Sequence, residues 1–125
     1  MMELFGNIWV APDVEKQTDE INNYNFNATA TIEGLPFPTK YTMDALVSLA
    51  GLDTNTSHVL EVRIDNEVVY TEELPVDMLR SDASKKGNLN MTVTLKNFDL
   101  KKSGIHTFSL WMDKQRLDDF KLWFV

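Results

Sequence analysis

His58 and His106 are the two histidines of the chain, and cysteine is absent. Nucleophile activation, general acid–base work and metal ligation each need a second group at a defined spacing from such residues. Neither histidine has one close by in sequence. His106 falls on an alternating segment with the parity of buried residues, which reads as a strand-end histidine hydrogen-bonded to backbone. Asp113, Asp118 and Asp119 come close together near the end of the chain, and three carboxylates in one loop have the chemistry to hold calcium. Lys114 and Arg116 lie among them, so a salt-bridged, solvated turn is the expected structure. There is no paired-histidine spacing, no D-x-D-x-D-G loop, no glycine-rich phosphate loop and no G-x-S-x-G elbow. The 19 acidic residues allow two carboxylates to meet in space, but no spacing announces such a pair. The expectation is a non-enzyme with no catalytic residues, no metal and no cofactor.

Residues of another kind crowd the segment GIHTFSLWMDKQRLDDFKLWFV, Gly104 to Val125, which holds two tryptophans and three phenylalanines. Phe108, Leu110 and Met112 share one parity with Phe120, Leu122 and Phe124. A hairpin with an odd-length loop near Lys114 to Asp118 sets Leu110 across from Leu122 and Phe108 across from Phe124. All six then line the core face. Trp111 and Trp123 have the other parity and fall diagonally on the outer face, with Ser109 and Lys121 beside them. Diagonal neighbours about 7–8 Å apart are within reach of large rings. Trp111, Trp123, Lys121 and Ser109 are therefore the candidate binding patch. Such rings need cover from a crossing loop, the N-terminal segment or a second copy, or else they form a recognition surface for a protein or a glycan.

Elements that position these residues follow from the pattern. Period two dominates, as in half-buried strands. Tyr24, Phe26, Ala28, Ala30 and Ile32 alternate, as do Tyr41, Met43, Ala45, Val47 and Leu49, with Leu46 making the second strand apolar on both faces. The clearest hairpin is HVLEVRIDNEVVYTEEL: Leu60, Val62 and Ile64 point one way, Asp65-Asn66 makes the turn, and Val68 and Tyr70 return. A helical turn is expected near Val76 to Arg80, and Ser81 to Asn88 reads as a loop. Leu89, Met91, Val93 and Leu95 alternate before a turn from Asn97 to Gly104. About seven to eight short strands without a long helix predict one all-β domain over residues 1–125. Its form is a single antiparallel β-sandwich, immunoglobulin-like or jelly-roll-like. No internal repeat and no linker is read.

Composition narrows the partners. A chain of 125 residues with 43% hydrophobic content buries a core without disulfides. Its net charge of −7 argues against nucleic acid, which needs clustered lysine and arginine. No run reaches the roughly 18 apolar residues of a spanning helix, and Glu3 sits where a signal peptide carries positive charge. A soluble, cytoplasmic protein without membrane contact is expected.

Several of these stretches resemble small bacterial and phage immunoglobulin-like sandwich proteins. They are Phe37-Pro38 before a strand, Ser48-Leu49-Ala50-Gly51-Leu52 closing it, and the His58-Val59-Leu60-Glu61-Val62 strand entry. Gly104 to Phe108 and the apolar-alternating Phe120 to Val125 complete the set. The resemblance covers Phe37 to Val125 and implies an immunoglobulin-like fold without known catalytic residues; it carries over no site. The leading expectation is a non-enzymatic binding or assembly module, of a kind encoded by phage or mobile elements, that uses the tryptophan face for homo-oligomer or partner-protein contact. A carbohydrate-binding module and an acidic inhibitor of a nucleic-acid-handling enzyme are the rivals.

Overall fold

The computed structural model of the chain describes residues 3–12, 14–16, 24–26, 30–83 and 87–125. Its strands in chain order are β1 (Phe5–Ala11), β2 (Val14–Lys16), β3 (Tyr24–Phe26), β4 (Thr31–Ile32), β5 (Thr39–Ala50), β6 (His58–Ile64) and β7 (Glu67–Leu74). Helix α1 (Val76–Asp82) follows, then β8 (Leu89–Leu100), β9 (Gly104–Met112) and β10 (Gln115–Phe124). A three-stranded sheet, β1-β5-β8, packs against a five-stranded sheet, β4-β10-β9-β6-β7, and β2 pairs with β3 separately. The chain passes from one main sheet to the other between β1 and β4 and crosses again after β4, β5, β7 and β8, and β4 runs parallel to the end of β10. This is an all-β sandwich with an immunoglobulin-like strand order.

Alternation decides which faces meet. On β5, Met43, Ala45, Val47 and Leu49 are buried, while Leu46 is half-buried on the opposite face across from Trp9 of β1. Leu60, Val62 and Ile64 of β6 and Phe108, Leu110 and Met112 of β9 supply the other half of the core. An aromatic cluster ties the layers together. Phe98 of β8 meets Phe108 edge-on at 5.9 Å, Phe108 lies 6.3 Å from Phe124, and Tyr41 of β5 stands edge-on to Phe98 and Phe124. Such geometry adds to the area term by matching ring edges to ring faces.

Four local expectations change. The Tyr24–Ile32 run is not one strand: β3 pairs with β2 and β4 with β10, and residues 27–29 lie outside the described set. Strand β8 does not end at Asn97. Asn97 adopts φ 52° at a bulge against β5, its N–H is held by the Thr42 hydroxyl, and pairing resumes through Leu100. Helix α1 has seven residues, begins after Pro75, places Asp77 in its first turn and buries Leu79, so Ser81 and Asp82, read as loop, close the helix. Val68 faces outward opposite Arg63, because a bulge separates it from Tyr70. Two glycines are dictated by close approach: a Cβ on Gly51, φ 77°, would meet the Glu3 carbonyl oxygen at 2.5 Å, and one on Gly87, φ 71°, whose carbonyl accepts from Leu52 N–H, would meet the Leu52 carbonyl oxygen at 2.3 Å.

Candidate functional site

Both histidines lie at the starts of hairpins, and both reach the turn of the other hairpin. The β6–β7 turn is Asp65-Asn66 and the β9–β10 turn is Asp113-Lys114; all four residues have positive φ, from 49° to 70°. These are two-residue type I′ turns, which suit the strand twist and favour Asp or Asn at the first position. His58 Nδ1 donates to Asp113 Oδ2 at 2.5 Å and its Nε2 to the Asp53 carbonyl at 2.7 Å. Asp113 Oδ1 accepts from Val59 N–H, and Asp113 N–H donates back to the Val59 carbonyl. The same pattern recurs at the other end of the sheet. His106 Nδ1 lies 2.6 Å from Asp65 Oδ2 and its Nε2 2.9 Å from the Lys102 carbonyl. Asp65 Oδ1 accepts from Thr107 N–H while Asp65 N–H donates to the Thr107 carbonyl.

This is an internal repeat, contrary to the expectation of none. The unit H-x-Φ-x-Φ-x-Φ-D, with Φ apolar, runs from His58 to Asp65 and again, 48 residues on, from His106 to Asp113. Each copy continues into a second arm bulged at the same place, Val69 in one and Leu117 in the other. Strands β6 and β9 pair antiparallel about Val62↔Leu110, with Leu60↔Met112 and Ile64↔Phe108 exchanging roles. The two hairpins are thus related by a local twofold axis, and each histidine locks the other hairpin's turn. The signal in the sequence was the equal His-to-Asp spacing. It is hidden because, apart from the histidine, the aspartate and the final leucine (Leu74, Leu122), the aligned residues differ.

The outer face over β6 and β9 carries a charged cluster. Glu61 is buried although it points away from the core. Lys114 Nζ donates to one carboxylate oxygen at 2.7 Å, and Arg63 donates to the other through Nε and Nη2 at 3.1 and 2.7 Å. The Lys114 hydrogen bond first, and Arg63 next, hold the Glu61 carboxyl below its ordinary range. The Arg63 guanidinium lies 3.9 Å from the centroid of the Trp111 ring, and Trp111 Nε1 donates to Ser109 Oγ. A guanidinium held this close over an indole face is attracted by the ring and covers it. Replacing Arg63 by Ala, in a chain where Trp9 and Trp123 are phenylalanine, is expected to move Trp111 emission to longer wavelength. An unmoved maximum would show that Arg63 does not cover the ring.

The candidate patch is therefore divided. The closing turn has two residues, and the bulge at Leu117 restores the parity that such a turn would reverse. Phe120, not Phe124, faces Phe108, and Leu110 faces Asp118, not Leu122. Trp123 stands opposite Ile105, six rungs from Trp111 on β9, a distance of about 20 Å at 3.4 Å per residue. Trp111 and Ser109 belong to the Glu61 cluster; Lys121 is exposed opposite Thr107. Trp123 is 53% exposed, beside Ile105 at 67% and on the same face as Val125 at 39%. The three aspartates near the tip separate as well. Asp113 holds His58, Asp118 accepts from Ile8 N–H at the edge of β1, and Asp119 pairs with Arg116. Among the described residues no three His, Asp or Glu side chains gather in a metal-holding group.

No protein-family model matches the chain, and no curated protein matches it in sequence. A β-glucosidase from Listeria innocua, solved in complex with isofagomine, aligns over 97% of this chain at 9% identity and a TM-score of 0.46. The chain spans 16% of that protein, and a likeness at this level bears on neither fold nor activity. Among the described residues no helix is long and apolar enough to cross a membrane.

Proposed function

We propose that the chain is a non-enzymatic binding and assembly module that associates with a second copy through the corner formed by Ile105, Trp123 and Val125. The observation that carries this reading is the exposure of these three large apolar side chains on one face of the sheet. Contiguous exposed apolar surface of this kind marks interaction sites. An apolar patch whose three side chains carry no charge can meet its own copy, as a twofold contact requires.

The groups with the chemistry for catalysis support a non-enzymatic role. His58 has both ring nitrogens engaged by fixed acceptors. Glu61 has both carboxylate oxygens held by cations, which leaves neither a proton to give nor a basic oxygen to offer. A glycan platform of two adjacent coplanar rings is not supported, since Trp111 and Trp123 are far apart and Arg63 covers Trp111. A dilution series followed by amide NMR tests the proposal. Signals of Ile105, Thr107 and the Trp123 indole are expected to move with concentration while those of Trp111 stay fixed. Concentration-independent spectra would overturn it.

A further inference from the structure

Strands β7 and β8 border the same side of the sandwich, one at the edge of each main sheet. Helix α1 joins them and fills one end of the gap with Leu79, which is fully buried. The other end has no such plug. There, Ile64, Val69 and Phe98 line an open cleft of about 380 Å³, with Val68 in its wall. Val68 is 47% exposed.

The cleft has three features that select an occupant. Its inner surface is apolar, since Ile64 and Phe98 are core residues. Its borders are strand edges: among the described residues β7 has a strand only on its β6 side and β8 only on its β5 side. Unpaired edges offer backbone donors and acceptors that an added peptide satisfies. Its rim bears three lysines on a chain of net charge −7. Lys96, Lys101 and Lys102 line it beside three carboxylates; Asp65 is engaged by His106 and Asp99 by Lys40, which leaves Glu67 to stand against the three ammonium groups. Bulges at Val69 and Asn97 interrupt both edges here, which limits any added strand to a few residues.

We infer that this cleft binds a short extended segment of a partner protein, with one apolar side chain seated against Phe98 and Ile64 and acidic side chains directed to Lys96, Lys101 and Lys102. The site lies on the other face of β9 from the Trp123 corner, since His106 borders the cleft while Ile105, next along the strand, belongs to the corner. The test is a random-peptide display selection on the intact chain, followed by fluorescence anisotropy with the labelled consensus peptide. The expected consensus is an apolar residue flanked by Asp or Glu. Its affinity should fall about fivefold or more in the double variant Lys101→Glu with Lys102→Glu, because reversal of rim charge acts on binding. Binding to Trp123→Ser should match the wild type. Failure to enrich any peptide overturns the inference. So does a smaller loss in the double lysine variant, whose exposed positions do not threaten folding.

Discussion

Phe108→Ala is expected to destabilise the domain by about 3–5 kcal/mol, the range for removing a fully buried ring. Phe108 is 0% exposed and lies between the sheets, touching Phe98 across the sandwich and Phe124 within its own sheet. The walls of the resulting cavity are strands held in ladders on both sides, β6 and β10, and they have little freedom to collapse. Domains of this size have only about 5–15 kcal/mol of total stability, so the variant is expected to unfold near the foot of the wild-type urea transition. A loss below about 1 kcal/mol, which is the level of a surface substitution, would contradict the packing described.

Asp113→Ala is expected to cost about 2–3 kcal/mol, more than one exposed ion pair contributes, because a carboxylate that accepts hydrogen bonds from a buried partner is lost. Three effects combine. His58 loses the acceptor at Nδ1, Val59 N–H loses its partner, and a residue with φ 52° is replaced by one that disfavours that conformation. Asp65→Ala, the twofold counterpart, should behave alike, since the same two hydrogen bonds and a positive φ recur there. The His58 lock also makes stability depend on pH. Burial pushes the His58 pKa down, but the Asp113 hydrogen bond, the Asp53 carbonyl and the charges of both aspartates outweigh it and raise it above 6.5. The folded state therefore binds the proton more tightly than the unfolded chain. The resulting stabilisation is fully present below the unfolded value and is lost as pH rises through the folded one. Urea midpoints of wild type and Asp113→Asn should differ more at about pH 5.5 than at about pH 9, given an ordinary histidine value near 6.5. An equal gap at both would show that His58 does not titrate against Asp113.

Much of the fold was legible in the parity of the sequence. Alternation puts six apolar residues of the closing hairpin on the core side; five are fully buried and Phe120 is half-buried. Strand pairing was not legible, because an odd loop and a two-residue turn followed by a bulge give the same parity and differ only in register. That difference separates Trp111 from Trp123, so the proposed patch dissolved although both rings do lie on the outer face. The burial of Glu61 is not legible for a related reason. An outward-facing glutamate in an alternating strand looks solvated, and only the return of Lys114 from a distant turn, with Arg63 and Trp111 beside it, buries it. Both His–Asp locks join residues more than 40 positions apart, which local spacing does not announce. The short β4 was obscured because its two residues pair in parallel with the end of β10 and show no alternation of their own.

Light scattering on the wild type and on Trp123→Ser, each over a range of concentrations, tests self-association through the corner most directly. The account predicts a dimer mass of twice 14.4 kDa for the wild type and a folded monomer for the variant. A wild type that stays monomeric at the highest concentration, or a Trp123→Ser variant that dimerises as well as the wild type, would contradict it.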